Sequence, residues 1–160
     1  MAKDKNNKTN AMRILDRKKL DYEAVFYESE GFLDGVTIAE KLEKPKEMVY
    51  KTLVTVGKCK DYFVFVLPVE KELDLKKAAK AVNEKSVEMI YVGDITKITG
   101  YIRGGCSPIG MKKDFKTVVD KSALLLDKIM FSGGKRGVQL IMNPKDLEIA
   151  CRCEFSEITL

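Results

Sequence analysis

The sequence has no histidine and no tryptophan, and only four prolines and four cysteines in 160 residues. Histidine is the side chain that ordinarily exchanges its proton near neutral pH, so its absence removes Ser-His-Asp and Cys-His catalysis. Chemistry must then run on lysine, carboxylates, tyrosine, backbone amides or groups carried by the substrate. Cys59, Cys106, Cys151 and Cys153 are irregularly spaced, and the one close pair, Cys151-Arg-Cys153, is tighter than a zinc-knuckle or thioredoxin spacing. The expectation is therefore no metal and no cofactor, with the thiols reduced and buried. Long apolar runs are also missing, and Met1-Ala-Lys-Asp-Lys-Asn-Asn-Lys8 lacks the hydrophobic centre of a signal peptide. A cytoplasmic protein without membrane contact is expected.

Glycine and positive charge are present, and both are unevenly placed. Seven of the 11 glycines lie between Gly100 and Gly137, in the clusters Gly100-Tyr-Ile-Arg-Gly-Gly-Cys-Ser-Pro-Ile-Gly110 and Phe131-Ser-Gly-Gly-Lys-Arg-Gly137. The overall charge of +5 divides into +5 for residues 1–20, −4 for 21–96, +6 for 97–137 and −2 for 138–160. Glycine lets backbone N–H groups approach and turn toward a ligand, and neighbouring cations favour an anion. A phosphate-bearing or oxyanion-forming ligand, RNA or a nucleotide, fits this pattern. Gly-Gly pairs also serve as plain turns between strands, and basic residues as a solvated helix face.

At 18.1 kDa, with 45% hydrophobic and 33% charged residues, the chain is long enough for one domain with one core. Residues 1–8 are expected to be a disordered tail and 9–160 a single domain. From Thr9 the positions Ala11, Ile14, Leu15 and Leu20 trace one side of a basic helix. Glu23–Glu28 reads as a strand, Thr37-Ile-Ala-Glu40 as a capping box opening a helix, and Pro45 as the first turn of another. Tyr50–Val56 and Tyr62–Leu67 form a buried hairpin at the centre of the sheet. Asp74 caps a helix with Leu75, Ala78, Ala79 and Val82 inward, followed by strand Val87–Ile90 and a helical turn from Asp94. Thr117–Val119, Ile129–Phe131 and Val138–Met142 are short strands, and Pro144–Ala150 starts a final helix. Strands and helices mix without strict alternation, which predicts an α/β or α+β domain around a mixed, strongly curved sheet.

Lys51 begins a strand whose neighbours Leu53, Val54 and Val56 read as buried. A lysine there loses solvation unless an anion accompanies it, although alternation also permits it to point outward. Ser107 and Ser132 sit in the glycine clusters, where a hydroxyl can bond a ligand or cap a turn. Cys106 has no thiolate-forming partner nearby in sequence, so it reads as a small apolar filler. Arg103, Lys112, Lys113, Lys135 and Arg136 are candidate phosphate ligands.

Four segments in order, Tyr50-Lys-Thr-Leu-Val54, Leu73-Asp-Leu-Lys-Lys77, Gly100 to Lys113 and Ser132-Gly-Gly-Lys-Arg-Gly137, resemble the YbaK/EbsC aminoacyl-tRNA deacylases. The match runs from about Asn10 to Phe155. The resemblance implies a curved, barrel-like mixed sheet surrounded by helices, of the type found in prolyl-tRNA synthetase editing domains. It implies hydrolysis of mischarged tRNA, most typically Cys-tRNA(Pro), with aminoacyl-tRNA as substrate and prolyl-tRNA synthetase as a possible partner. By motif, Lys51 corresponds to the family's essential lysine near the phosphate and ribose of the terminal adenosine. Tyr27 and Thr52 match pocket positions. Gly104, Gly105, Cys106, Ser107 and Pro108 match the loop around the aminoacyl backbone. Ser132 and Gly133 match the second loop. Gln139 stands where close relatives often carry Asp. In the family's proposed mechanism the cysteinyl thiol attacks its own ester, a route that needs neither histidine nor metal. Two other readings stay open on the residues alone: a non-catalytic aminoacyl-tRNA or nucleotide binder acting with a synthetase, and a protein-docking module.

Overall fold

The computed structural model describes residues 8–160, so the expected tail lies, apart from Lys8, outside the described residues. The first helix, α1 (Asn10–Arg17), starts where the Thr9 hydroxyl accepts the Met12 N–H at 3.2 Å. It buries Ala11, Met12 and Leu15, with Ile14 packed at the edge of the same cluster. The next helix, α2 (Gly35–Lys41), is capped by Asp34, whose carboxylate accepts the Thr37 N–H at 2.7 Å. The capping box expected at Thr37 is thus one turn late: Asp34 offers the stronger acceptor, and Thr37 becomes the third residue of the helix. A short 3₁₀ turn, Lys46–Met48, follows Pro45.

Two strands, β2 (Tyr50–Gly57) and β3 (Tyr62–Pro68), form the expected antiparallel hairpin. Six of the seven residues of β3 are buried, as a strand covered on both faces requires. Asp74 caps α3 (Leu75–Ala81), accepting the Lys76 and Lys77 N–H groups at 2.9 and 3.1 Å. Ala78, Ala79 and Val82 point inward, whereas Leu75 is exposed, against the expectation. It is the first residue after the cap, and the helix turns it away from the sheet. Then come β4 (Val87–Met89), a 3₁₀ turn at Val92–Asp94 and α4 (Ile95–Thr99), which ends on Gly100 in the left-handed conformation. The strands β5 (Lys116–Asp120), β6 (Ile129–Ser132) and β7 (Val138–Met142) lie where they were expected. The last helical stretch is a 3₁₀ turn, Pro144–Asp146, running into α5 (Leu147–Ala150), and a further strand, β8 (Cys153–Ser156), follows it. That strand escaped the sequence reading because four half-covered residues give no clear alternation.

The strands form two sheets rather than one. Five strands run in the order β4-β2-β3-β5-β8, with β3-β5 and β5-β8 parallel, and three run β1-β7-β6, where β1 is Glu23–Phe26. The mixed α/β class stands, but the barrel-like closure does not. The end of β2 pairs with β4 through Thr55–Gly57, and among the described residues the two sheets are joined by the Val49–Met130 bridge. That bridge positions the site, because it sets the start of β2 beside β6 and β7.

The largest core cluster packs α1 and α5 against β6 and β7 through Leu15, Phe131, Leu140 and Leu147. A second packs α3 on β3 through Phe65, Leu67, Ala78 and Val82. Each large apolar side chain so buried contributes about 1.5–3 kcal/mol. Asp120, itself buried, accepts the Ser122 N–H at 3.2 Å and the Ile158 N–H at 3.0 Å, tying the C-terminal segment to β5. Among the described residues no helix is long and apolar enough to cross a membrane.

Candidate functional site

A cavity of about 360 Å³ opens where the start of β2 meets the Phe32–Gly35 turn, the first glycine loop and the β6-β7 pair. Its walls are largely apolar, lined by Leu33, Ile38, Val49 and Val69, which pack together, and by Val54, Met89, Ile90, Val92 and Ile95. The polar groups that converge on it are Lys51, Thr52, Arg103, Ser132 and Gln139. Ser132 and Gln139 face each other across the β6-β7 ladder, and the bridge at Val49 brings Lys51 and Thr52 alongside.

Lys51 is half-buried, and among the described residues no carboxylate lies within ion-pairing distance of it. A part-desolvated ammonium without a counter-charge is an anion site in waiting. Thr52 adds a second open valence: its hydroxyl is sealed from solvent and has no hydrogen-bond partner among the described residues. Gln139 is 3% exposed, lines the cavity, and carries an amide with one acceptor and two donors.

The two glycine loops form one wall. Gly104 has φ +85°, a conformation that side chains rarely adopt, and an added Cβ would stand 2.9 Å from the Phe32 ring. Arg103 lies over that ring at 4.2 Å, a cation–π contact that places a guanidinium at the cavity mouth. The Arg136 Nε–H donates to the Arg103 carbonyl at 2.9 Å, so the second loop braces the first.

Of the residues singled out from sequence, Lys51, Thr52, Arg103, Gly104, Cys106, Ser132 and Gln139 line the cavity. Tyr27 does not; it is half-buried against the Val49–Met130 cluster, and its N–H donates to the Gly137 carbonyl at 2.9 Å, framing the second loop. Gly105 and Gly133 stand behind the wall: a Cβ on Gly133 would meet Val138 Cγ1 at 2.6 Å. The Gly133 carbonyl also accepts the Thr9 hydroxyl at 2.5 Å. Ser107 is fully buried, its hydroxyl accepting the Ile109 N–H at 3.3 Å. Pro108, Lys112 and Lys113 face a different cavity. The sequence reading missed Phe32, Asp34, Met89 and Val92 as lining residues. Only Asp34 left a signal, as the residue before a helix.

The fold moves three ionisable groups of the wall, Asp34, Tyr50 and Cys106, away from a general-base role near neutral pH. Hydrogen bonds from Thr37 hold the Asp34 carboxyl below the usual carboxylate range. Burial pushes the Tyr50 phenol up, its hydroxyl paired with that of Ser122 at 2.7 Å. Burial also raises the Cys106 thiol to about 11, the hydrogen bond with Thr99 offsetting little of it, so this thiol stays protonated and is a poor nucleophile. The expectation of buried thiols holds for Cys106, whereas Cys59 is exposed and Cys151 and Cys153 are half-buried; all four are free.

The sequence matches the aminoacyl-tRNA editing domain family over residues 34–149. It is 47% identical over 161 residues, 99% of this chain and 98% of the other, to a protein of Enterococcus faecalis named "Putative Cys-tRNA(Pro)/Cys-tRNA(Cys) deacylase EbsC". The fold is shared with the crystal structure of a hypothetical protein at TM-score 0.86 and 18% identity, covering 94% of this chain and 99% of that one. It is shared also with that of "a putative trans-editing enzyme for prolyl tRNA synthetase", at TM-score 0.78 and 19% identity, covering 94% and 97%.

Proposed function

The chain belongs to the aminoacyl-tRNA editing domain family, and from that premise we propose that it clears Cys-tRNA(Pro) by letting the substrate's own thiol open the ester. The activity is that of a hydrolase acting on aminoacyl-tRNA. What supports the finer reading is a cavity with two polar groups that lack a partner among the described residues, the Lys51 ammonium and the Thr52 hydroxyl, and no histidine anywhere in the sequence.

An aminoacyl ester is already activated, and a cysteinyl group brings a thiol with a pKa of about 8.5 next to the carbonyl. Attack forms the S–C bond and breaks the bond to the ribose oxygen, which takes up the thiol proton. A cyclic thioester and free tRNA result, and water then opens the thioester to cysteine. The protein has only to hold the ester bent into the cyclising geometry and to stabilise the oxyanion. On this reading Lys51 holds the phosphate and ribose of the terminal nucleoside. The Thr52 and Ser132 hydroxyls and the Gly104 and Cys106 amides are the available oxyanion donors, each worth about 3 kcal/mol where the geometry is right; the Gly105 amide is taken by the Ile102 carbonyl at 2.9 Å. Gln139 is placed to accept a hydrogen bond from the α-amino group. On this reading the protein works in the cytoplasm on a product of prolyl-tRNA synthetase error, with that synthetase as the natural partner.

The test is release of amino acid from Cys-tRNA(Pro), Ala-tRNA(Pro) and Pro-tRNA(Pro), with wild type and Lys51→Ala in parallel. Loss of cysteine alone, abolished by the substitution, is expected. Equal loss of alanine would replace the substrate thiol by a bound water, and an active Lys51→Ala protein would remove Lys51 from the mechanism.

A further inference from the structure

A second cavity, of about 260 Å³, lies beyond the first glycine loop, between the end of α1 and the segment that leads into β5. Arg17 and Lys18 come to it from α1, and Lys112 and Lys113 from the other side, against the single carboxylate of Asp114. Lys18 donates to the Ile149 carbonyl at 2.8 Å and Lys112 to the Lys97 carbonyl at 3.1 Å. Among the described residues, none of the four cations is ion-paired with a carboxylate. Basic residues that merely solvate a surface spread apart. Here two distant segments bring four of them to the edge of one concavity, Lys18 and Lys112 with their ammonium groups on backbone carbonyls and Arg17 and Lys113 without a side-chain partner among the described residues, and the walls focus the positive potential.

The position of this cavity names its occupant. Cys106 lines the catalytic cavity and Pro108 the second one, and two residues of chain span at most roughly 7 Å. A polyanion whose end occupies the first cavity therefore runs within reach of the second, and a nucleic-acid strand offers a charge about every 3.4 Å. The geometry points to a phosphodiester site: the second cavity holds the RNA backbone of the aminoacyl-tRNA substrate, away from its terminal adenosine. This inference rests on the editing reading for the identity of the RNA.

Arg17 and Lys113 are exposed and make no side-chain hydrogen bond among the described residues, so replacing both by glutamine leaves the packing alone. Binding of uncharged tRNA to the double variant Arg17→Gln/Lys113→Gln, followed by fluorescence anisotropy across a salt series, needs no ester hydrolysis and so stands or falls separately from the deacylase reading. The expected result is about tenfold weaker binding, with the slope of log K against log salt shallower by about 1.5 to 2. With aminoacylated substrates, KM for full-length tRNA rises while turnover of an aminoacyl-adenosine is retained. A control pair on the β2-β3 turn, Lys58→Gln/Lys60→Gln, removes the same charge elsewhere. An unchanged slope, or an equal loss in the control pair, overturns the proposal. So does saturation of the site by millimolar inorganic phosphate that tRNA fails to displace, which would make it a small-anion site.

Discussion

Gly105 lies against the backbone of Lys135: a Cβ built on it would stand 2.7 Å from the Lys135 Cα and 2.9 Å from its carbonyl carbon. The contact is backbone on backbone, so no side chain can swing aside to relieve it. It explains how two glycine loops some 30 residues apart in sequence make one wall, with the Arg136–Arg103 hydrogen bond closing it from the other side. A methyl group at Gly105 should pry the loops apart. Overpacking of this kind costs about 1–3 kcal/mol, which for a domain of this size lowers Tm by roughly 2–4 °C per kcal/mol. Calorimetry of Gly105→Ala, together with its deacylation rate, checks this. A variant with unaltered Tm and rate would mean that the loops slide freely over one another.

Thr52 gives an opposite sign for stability and activity. Its hydroxyl is buried and unpartnered among the described residues, and leaving such a group unsatisfied costs about 1–3 kcal/mol. Thr52→Val keeps the shape and removes the hydroxyl. The variant should be as stable as wild type or melt a few degrees higher, while kcat/KM falls by about 5- to 100-fold if the hydroxyl finds its partner in the substrate. A parallel fall in Tm and activity would instead make Thr52 structural.

Cys106 makes a prediction in alkaline solution. Its thiol ionises near 9.0 in an unfolded chain and is raised to about 11 in the fold by burial. Protonated thiol is thus favoured by the folded state. The stability it contributes is complete below pH 9 and is lost between about pH 9 and 11, where the unfolded chain ionises first. The loss amounts to about 2–3 kcal/mol. Tyr101, raised from 10.0 to about 12 chiefly by burial, extends the decline. Denaturant midpoints taken from pH 8 to 11 should fall for wild type and fall less for Cys106→Ala. In a separate series without denaturant, at and below neutral pH and up to about 8.5, the pKa of the substrate thiol, the deacylation rate should climb tenfold per pH unit, with the same profile for Cys106→Ala.

Much of the fold was legible because its strands are short apolar runs between turn residues. The β2-β3 hairpin, β5, β6 and β7 lie where the hydrophobic pattern put them. The two-sheet arrangement was not legible, since it depends on the bridge between Val49, just before β2, and Met130 of β6, a tertiary choice, while β2 itself pairs with β3 and β4. In the site, Lys51 is legible as a strand lysine among buried neighbours and Ser132 as a hydroxyl in a glycine cluster, and the motifs that resemble a family add a role for each. The apolar half of the cavity, Met89 to Ile95, gave no signal, because half-exposed hydrophobic residues in a loop look the same whether they line a cavity or cap a core. Gly105 and Ser107 read as part of the loop around the aminoacyl backbone, whereas the structure gives them packing positions behind its face.

Gln139 carries the last prediction. It sits in the middle of the three-stranded sheet, paired with Val25 on one side and Ser132 on the other, so its backbone is fixed. Its side chain is buried on the cavity wall. A neutral amide there accepts a hydrogen bond without adding a charge near Lys51, whereas a carboxylate would compete with the substrate phosphate for that lysine. Gln139→Leu should therefore raise KM for Cys-tRNA(Pro) by about tenfold, the value of one lost hydrogen bond at about 1.4 kcal/mol, with a smaller change in kcat. Gln139→Asp should lower the affinity for uncharged tRNA when Lys51 is present but cause no further loss in a Lys51→Ala background, since the competition then has no object. Steady-state kinetics of the two single variants and binding to the double variant separate these effects. If Gln139→Leu leaves KM unchanged, the amide faces the cavity without touching the substrate, and the α-amino group is held by another acceptor.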